Sequence, residues 1–590
     1  MLNLSFLSKK DLRNIFSACK IVYQIDPLAV AVESSIFISN AFLVMYRISL
    51  FGTFLDHTVD YIDSVDSFVF VEYIYSPSFY SFAQLFGLWF ITSFLMSLKR
   101  YFQSRLEIKY KEEMPARVVE KIADLNMEDV ERKEFRDLLS NINNYAFSRI
   151  LDTYMRVRQF FHQLVKMGSA AFFVFRINPW LPLGAFLLVL PEIIYKFRSK
   201  VAERKFLDES VERRKLADYI YREATRLRNF PELKVDRVFD FFLSIRESVT
   251  QELTEGVDSR RYDQYVKSFA FSVFDQFLFR GLLIALVAMA VVQNISVGIF
   301  QALFNYMRSL YSSSLALWDR LSSVGDNSQY IEDYLNFIEF TGFGDVSTGY
   351  LHLDAEDPSV SVQDLTFTYQ GWKEPIFKDM NFFIEGGGKA GFVGEDGAGG
   401  TTLAKLLCGL YRIRKGDILY DGKSIKDLKR GELKENISAH FDAFVKYDLS
   451  FCENIVLSSS GTSGWDFDPD LYKQVLYVTG LDSWLEETGL DDSQKLGKSL
   501  GQGAEISQGY WQRIALARTL YRNSSVFILD NPLAYVDAFS RREIYKRLLA
   551  FVGDRTLLVM LNTLEVARYF DYAFLLENKK AKELQLGSTQ

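Results

Sequence analysis

The sequence predicts a multidomain chain in which an all-α domain of six transmembrane helices is followed by an α/β domain. Long apolar runs are confined to the region before about residue 318, and acidic and basic residues divide unequally among the segments joining those runs. From about residue 359, short β-rich stretches alternate with helical ones. At 590 residues the chain also exceeds what one hydrophobic core accommodates.

Crossing about 30 Å of hydrocarbon takes about 20 apolar residues in a helix. Six segments are read as spans, near 28–55, 78–98, 157–177, 179–197, 269–292 and 297–318, some of them interrupted by a charge. Asn178-Pro179 makes a tight turn between the third and fourth, and Gln293-Asn294 between the fifth and sixth, whereas long charged stretches follow the second and fourth. After the first span come Asp56, Asp60, Asp63, Asp66 and Glu72 with no Lys or Arg. After the second come Lys99, Arg100, Arg105, Lys109, Lys111, Arg117 and Lys121. Cations collect on the cytosolic side, so both termini are expected in the cytosol. The first 26 residues lack a small-residue cleavage site, and the first span itself is expected to direct insertion. Glu33, Arg47, Lys166, Asp275, Arg280 and Arg308 lie within or beside the spans, where a charge should face protein or a water-filled cavity. Arg308, well inside the sixth, is the expected cavity residue.

Composition narrows the partners. Aromatic residues make up 15% of the chain, with 52 Phe, as suits a lipid-embedded half, and a net charge of -7 without a basic stripe excludes nucleic acid as a main partner. Cys19, Cys408 and Cys452 lack metal or redox spacing and read as buried apolar residues. Residues 1–320 are taken as the transmembrane domain with long cytosolic extensions, 321–355 as a linker and 356–590 as the second domain. The linker holds a helix from about Ser328 to Phe340 that breaks at Thr341-Gly342-Phe343-Gly344.

Within the second domain, the run from Lys389 through Gly394, Gly397, Gly399, Gly400, Thr401 and Thr402 reads as strand, glycine-rich turn and helix start. Its frame is G-x-x-x-x-G-K-[ST], whose backbone N–H groups wrap phosphates, whose hydroxyl ligates Mg²⁺ and whose Lys reaches the β- and γ-phosphates. Here the lysine position holds Gly400. Alone this pattern is equally a structural turn, and the downstream motifs decide.

Those motifs follow in order, and with them the chain resembles an ABC transporter of the exporter type along essentially its whole length. Ser524 to Pro532 resembles the Walker B strand, ending in Asp530, which in the family orders Mg²⁺. Glu505 to Arg518, with Ser507 and Gly509, is similar to the signature LSGGQ-x-QR-x-x-x-AR, and Ala534-Tyr535-Val536-Asp537 sits where the D-loop belongs. Tyr369 resembles the aromatic that stacks on adenine, though a lone strand tyrosine more often serves packing than ligand binding. The segment around Asp442 through Ile455 resembles the Q-loop region of peptide and lipid exporters, with Asp442 where glutamine is expected. Asn562 takes the switch histidine's position and Asn531 that of the Walker B glutamate.

The resemblance implies an α/β P-loop nucleotide-binding domain holding ATP and Mg²⁺. Tyr369, Gly394, Gly397, Gly399, Gly400, Thr401, Thr402, Asp442, Asp530, Ser507 and Gly509 are the binding residues, and Thr401 and Asp530 are the metal pair. Phosphoryl transfer rests on positioning and charge stabilisation, so each departure is judged by role. Gly400 removes the phosphate cation, Asn531 cannot accept a proton at neutral pH, and Asn562 lacks imidazole geometry. Asp442 brings negative charge toward the metal, to bind it directly or to repel triphosphate, and Gln508 crowds a glycine position of the signature. No residue is assigned as catalytic and own-site hydrolysis is not expected. Weak ATP binding and a wholly structural site both remain open.

By the same resemblance, two such domains sandwich nucleotides head to tail, so the expected partner is a second ABC half-transporter, a heterodimer in preference to a homodimer. Breaks at Ile122 to Glu131 and at Leu227 to Val235 fall near the coupling helices. The function implied is export of a peptide or lipophilic substrate across a bilayer, the bacterial cytoplasmic membrane by expectation, with hydrolysis carried by an intact partner. The alternative is a non-hydrolysing pseudo-transporter acting as scaffold or sensor.

Overall fold

The computed structural model describes residues 9–584 except 67, 143–145, 210, 227–228, 326, 343–348, 430, 460–466 and 498–502. It divides into two compact units, Met1–Val119 with Asp137–Glu339, and Glu120–Arg136 with Phe340–Gln590.

The first unit is helical. Each expected span falls on a long helix: Pro27–Ser64, Pro77–Ala123, Phe147–Phe175, Trp180–Glu209, Val238–Val292 and Val297–Gly325. Among the described residues, Pro27–Ser64, Pro77–Ala123 and the Tyr265–Val292 part of the fifth helix are long and apolar enough to cross a membrane. The Pro27–Ser64 helix starts where its sequence says it should. Asp26 accepts from the Ala29 N–H at 3.1 Å, and Pro27 occupies the first turn, where its missing N–H has no intrahelical partner to lose.

Its far end is fixed by a close crossing. Gly52 and Gly298 meet backbone to backbone, so that a Cβ on either would clash with the other's carbonyl oxygen. Asp56, one turn on, accepts from the Gly298 N–H and the Ser296 hydroxyl, both at 2.7 Å, placing a carboxylate at the N-terminus of the Val297–Gly325 helix. Met45, Val174, Val189, Leu286, Leu303 and Met307 form the core of this unit, and Tyr306 stacks on Phe173 while its hydroxyl donates to the Met45 carbonyl at 3.1 Å. Glu33 is buried and matched: Arg158 pairs with it, and the Tyr154 hydroxyl donates to it at 2.6 Å. Arg308 lies exposed on its helix, whereas Leu303, Met307 and Leu310 are buried. The side chain of Asp275 lies outside the described residues.

The second unit contains two sheets. Strands β1 (Val360–Phe367), β2 (Phe377–Ile384), β4 (Lys415–Tyr420) and β5 (Lys423–Ser424) form an antiparallel sheet in the order β2-β1-β4-β5. Strands β3 (Lys389–Val393), β6 (Ile437–His440), β7 (Val526–Asp530), β8 (Thr556–Leu561), β9 (Tyr572–Glu577) and β10 (Lys580–Glu583) form the other, in the order β10-β9-β3-β8-β7-β6. Its inner strands are parallel and buried on both faces, which is why β7 and β8 read as apolar runs bounded by Asp530 and Thr556, VFILD and TLLVML. Phe382 of β2 packs on Phe392 of β3 and Phe574 of β9, joining the sheets in one core.

The segment 120–136 belongs to this second unit although it lies between transmembrane helices in sequence. Its short helix, Met127–Val130, is held by Arg414 on Glu128 at 3.0 Å and by the Tyr411 hydroxyl on Glu131 at 2.6 Å, while Met127 packs against the core. The other sequence break contains the helix Phe230–Val235 and lies in the first unit, with residues 227 and 228 outside the described ones.

Candidate functional site

In an open parallel sheet the strand C-termini and the helix N-termini that follow them form one crevice, where backbone N–H groups and helix dipoles point outward together. Here β3 runs into the turn 394–399 and then the helix Gly400–Leu407, while β7 ends at Asp530 and β8 at Leu561. The parallel pairings β3 to β8 and β8 to β7 bring these ends side by side, with Val393 opposite Leu561 and Asp530 opposite Met560.

The turn requires its glycines for two different reasons. Gly399 has φ of 102°, and a Cβ there would stand 2.7 Å from the Phe377 ring. Gly400 is free of both constraints: it is helical, and a Cβ there would find Met560 at an ordinary 3.5 Å. A Cβ at this position is therefore accommodated by the fold. Gly394 and Gly397 complete the turn, Gly394 against Ala398 and Leu576.

Thr401 donates to Asp530 Oδ2 at 2.7 Å, bringing together two residues 129 positions apart. Asp530 is 1% exposed and its Oδ1 has no hydrogen-bond partner; Asp442, after β6, likewise leaves a buried Oδ1 unpartnered. Burial raises the pKa of Asp530, the Thr401 hydroxyl opposes that shift, and the Asp442 carboxylate adds to it. Burial raises Asp442 as well, followed by repulsion from Asp396 in the phosphate loop.

Tyr369 does something the sequence does not anticipate. Its hydroxyl shares a 3.0 Å hydrogen bond with Thr402, and its ring meets Tyr411 edge-on at 5.4 Å and Trp372 at 5.7 Å. Asn531 follows β7 in a left-handed conformation, φ 47°, which Asn tolerates better than Glu does. Asn562 is exposed just beyond β8.

The signature residues form a second cluster. Ser507 starts the helix Gln508–Tyr521, and Gly509 lies so close to the 535 turn that a Cβ would stand 2.7 Å from the Tyr535 carbonyl oxygen. Gln508 accepts a hydrogen bond from Lys446. Gln512, fully buried, joins the clusters: its amide donates to the Asn531 carbonyl at 2.9 Å and accepts from the Tyr535 N–H at 2.8 Å. Gln512 lies within the Glu505 to Arg518 motif, but the motif gives it no role. Its two partners come from other segments of the chain.

For Mg²⁺ the residues fit. Thr401, Asp530 and Asp442 are hard oxygen donors with unused lone pairs, and such an ion retains waters in its shell. Among the described residues no group of three His, Cys, Asp or Glu side chains is arranged as a metal site, so two carboxylates and a hydroxyl are what the protein offers. For a triphosphate the fit is partial: the backbone turn and Thr401 with Thr402 are present, and the cation is not.

Residues 377–534 match the family model for the ABC transporter. The second unit is an ABC transporter domain. Over 537 residues the chain is 23% identical to the subtilin transport ATP-binding protein of Bacillus subtilis, covering 90% of this chain and 86% of that one. It is 24% identical to the nisin transport ATP-binding protein of Lactococcus lactis over 494 residues, 81% of this chain and 79% of that protein. An ATP-dependent lipid A-core flippase of Mannheimia succiniciproducens is 31% identical over 288 residues, 47% of this chain and 46% of the flippase. An ABC transporter domain preceded by a unit of long apolar helices is the organisation of an exporter-type half-transporter, and the chain is a membrane protein.

Proposed function

We propose that this chain is the catalytically weak half of an ABC exporter, bound to a second half-transporter that hydrolyses most of the ATP, and that it moves a peptide or a lipophilic molecule outward across the membrane. The observation that carries this is Gly400. The position accommodates a Cβ on a helical backbone, yet supplies no cation, while the sheet, the turn and the Thr401–Asp530 pair around it are intact. Asn531 compounds the loss, because an amide cannot polarise water as a base.

Peptide cargo is supported by the two relatives that match most of the chain, named for subtilin and nisin transport. Lipophilic cargo is supported by the flippase, which matches about half. Both termini are assigned to the cytosol from the charge asymmetry between the first two inter-span segments. The short helix Met127–Val130, held by Arg414 and Tyr411, is assigned as the coupling element that receives nucleotide-driven movement.

Co-purification from the native host, followed by ATPase measurement on the assembly and on the separated chains, tests this. An intact half-transporter in the preparation, with turnover that survives Asp530→Ala in this chain, is the expected result. A homodimer with turnover abolished by Asp530→Ala overturns it. A lone chain or homodimer without turnover supports the scaffold or sensor reading instead, which the Gln508 substitution favours because it damages the signature that this chain would lend to a partner's nucleotide.

A further inference from the structure

We infer that the helical unit holds a binding site for the phosphate headgroup of an anionic membrane lipid, built from Lys99, Arg158 and Lys166 beside the Phe37 ring. This goes beyond the exporter reading, because it concerns a resident lipid and neither cargo nor nucleotide.

The site begins with a sequence pattern. Arg158, His162 and Lys166 recur every four residues on the helix Phe147–Phe175 and so share one of its faces. Folding brings that face to Phe37 of the Pro27–Ser64 helix. The Arg158 guanidinium lies 4.7 Å from the Phe37 ring centre, His162 stacks on the ring at 4.3 Å, and the ammonium of Lys99, from the helix Pro77–Ala123, lies 4.8 Å from it. Three helices thus contribute to one basic cluster.

The charge of this cluster does not balance. Glu33 is its carboxylate, and Arg158 and the Tyr154 hydroxyl already engage it. Lys99 is 8% exposed, and its ammonium donates to a neutral acceptor, Gln103 Oε1, at 2.7 Å. Gln103 in turn donates to Glu107 at 2.9 Å, so among the described residues no carboxylate touches the Lys99 ammonium. Arg158 is 5% exposed, and its Nε is buried without an acceptor. Lys166 is half-buried one turn beyond His162. A surplus of positive charge and an unused donor therefore stand where neither is solvated by water. An anion supplies both the counter-charge and the acceptor.

The neighbouring surface selects the kind of anion. Phe161, Leu164 and Phe172 of the same helix are exposed, so a ligand that reaches the cations also lies against apolar side chains. A phospholipid matches both: its phosphate meets Arg158 and Lys99, and its acyl chains run along the apolar surface. The level in the membrane fits as well. Lys99 directly follows the second apolar run, and Arg158 stands at the start of the third. With both termini in the cytosol, this is the headgroup boundary of the inner leaflet. The choice of leaflet rests on that orientation; the site does not.

The experiment places full-length protein in phosphatidylcholine nanodiscs, without nucleotide or cargo, and adds trace spin-labelled phosphatidylglycerol or spin-labelled phosphatidylcholine. Electron paramagnetic resonance then measures the motionally restricted fraction of each. The expected result is a preference for phosphatidylglycerol that persists in high salt, falls about tenfold in Lys99→Gln and is retained in Lys99→Arg. Arg100→Gln removes an exposed cation next to the site and should leave the preference unchanged. Thermal unfolding establishes that each variant is folded, and Lys166→Gln, which should also lower the preference, is the second variant if Lys99→Gln does not fold. Equal retention of the two lipids overturns the inference. So does a preference that Lys99→Gln leaves intact, or one that Arg100→Gln or salt abolishes, because diffuse surface charge then explains it. Displacement of the labelled lipid by inorganic phosphate as readily as by phosphatidylglycerol overturns the assignment to lipid in favour of a soluble anion. No readout involves ATP, transport or a partner chain, so failure here and failure of the exporter reading are separable.

Discussion

The Tyr411 hydroxyl donates a 2.6 Å hydrogen bond to Glu131 Oε1, tying the ABC transporter domain to a segment that leaves the transmembrane region 280 residues earlier. The Tyr411 ring also touches Tyr369, whose hydroxyl shares a hydrogen bond with Thr402 in the phosphate loop. A continuous set of side chains therefore runs from the phosphate loop to the short helix Met127–Val130. Burial first, and then Glu131, holds the Tyr411 phenol protonated far above ordinary pH, so this hydroxyl is a permanent donor.

Tyr411→Phe keeps the ring and removes the donor. Because Glu131 is exposed, the loss is about 1 kcal/mol, and amide exchange over residues 127–131 should rise roughly fivefold while the rest of the domain is unchanged. Hydrogen exchange followed by mass spectrometry checks this; unaltered exchange in that segment would mean that the Tyr411 hydroxyl does not hold the helix.

Gly400→Lys should restore phosphate affinity. A charge-assisted contact contributes about 1.5–3 kcal/mol, or roughly tenfold to a hundredfold in the dissociation constant of a fluorescent ATP analogue. Gly399→Lys is the matched control, since its φ of 102° and the Phe377 ring forbid the side chain. Equal affinities for the two variants would count against the phosphate-loop assignment.

Asn531→Glu supplies a general base but should not restore turnover alone, because the phosphate cation is still absent. Combined with Gly400→Lys it should yield measurable phosphate release. It also places Glu at φ 47°, a strain of about 1 kcal/mol beyond Asn, read as a fall of about 2–4 °C in the melting temperature. Turnover by the single variant would contradict this assignment of roles.

Gln512→Ala leaves the Tyr535 N–H without a partner and the Asn531 carbonyl with only the Ala534 N–H, a loss of about 1–3 kcal/mol. Gln512→Glu keeps the acceptor for Tyr535 but turns a carboxylate oxygen toward the Asn531 carbonyl, so it should not rescue. Limited proteolysis at residues 534–537 should accelerate in both variants, and resistance there would exclude the bridge as what holds the turn.

Glu453 closes a capping box at the helix Phe451–Val456, accepting from the Ser450 N–H at 2.8 Å. That backbone bond, and then the Ser450 hydroxyl, lower its pKa below the usual 4.5. A depressed carboxyl stabilises the fold above pH 4.5 and loses that stability as pH falls through its folded value. Glu453→Gln should therefore cost about 0.5–1 kcal/mol at pH 7, with the two denaturation midpoints converging as pH falls through the folded-state value. A difference constant across pH 3–7 would assign the effect to shape and not charge.

The order of elements, the apolar helices and the glycine turn after β3 are legible in the chain's local pattern. These are local matters: hydrophobic period, positive φ at Gly399 and the chemistry absent at Gly400 and Asn531 are all written in neighbouring positions. The same pattern also marks 122–131 as a break. That Tyr411 and Arg414 hold this break, that Tyr369 turns its hydroxyl to Thr402, that Gln512 bridges Asn531 and Tyr535, and that Asp530 and Asp442 each leave one oxygen unpartnered emerges from the folded arrangement alone. Parallel strands bring together side chains more than a hundred residues apart, and the partner each then finds depends on sheet register and burial, quantities that no local pattern of residues encodes.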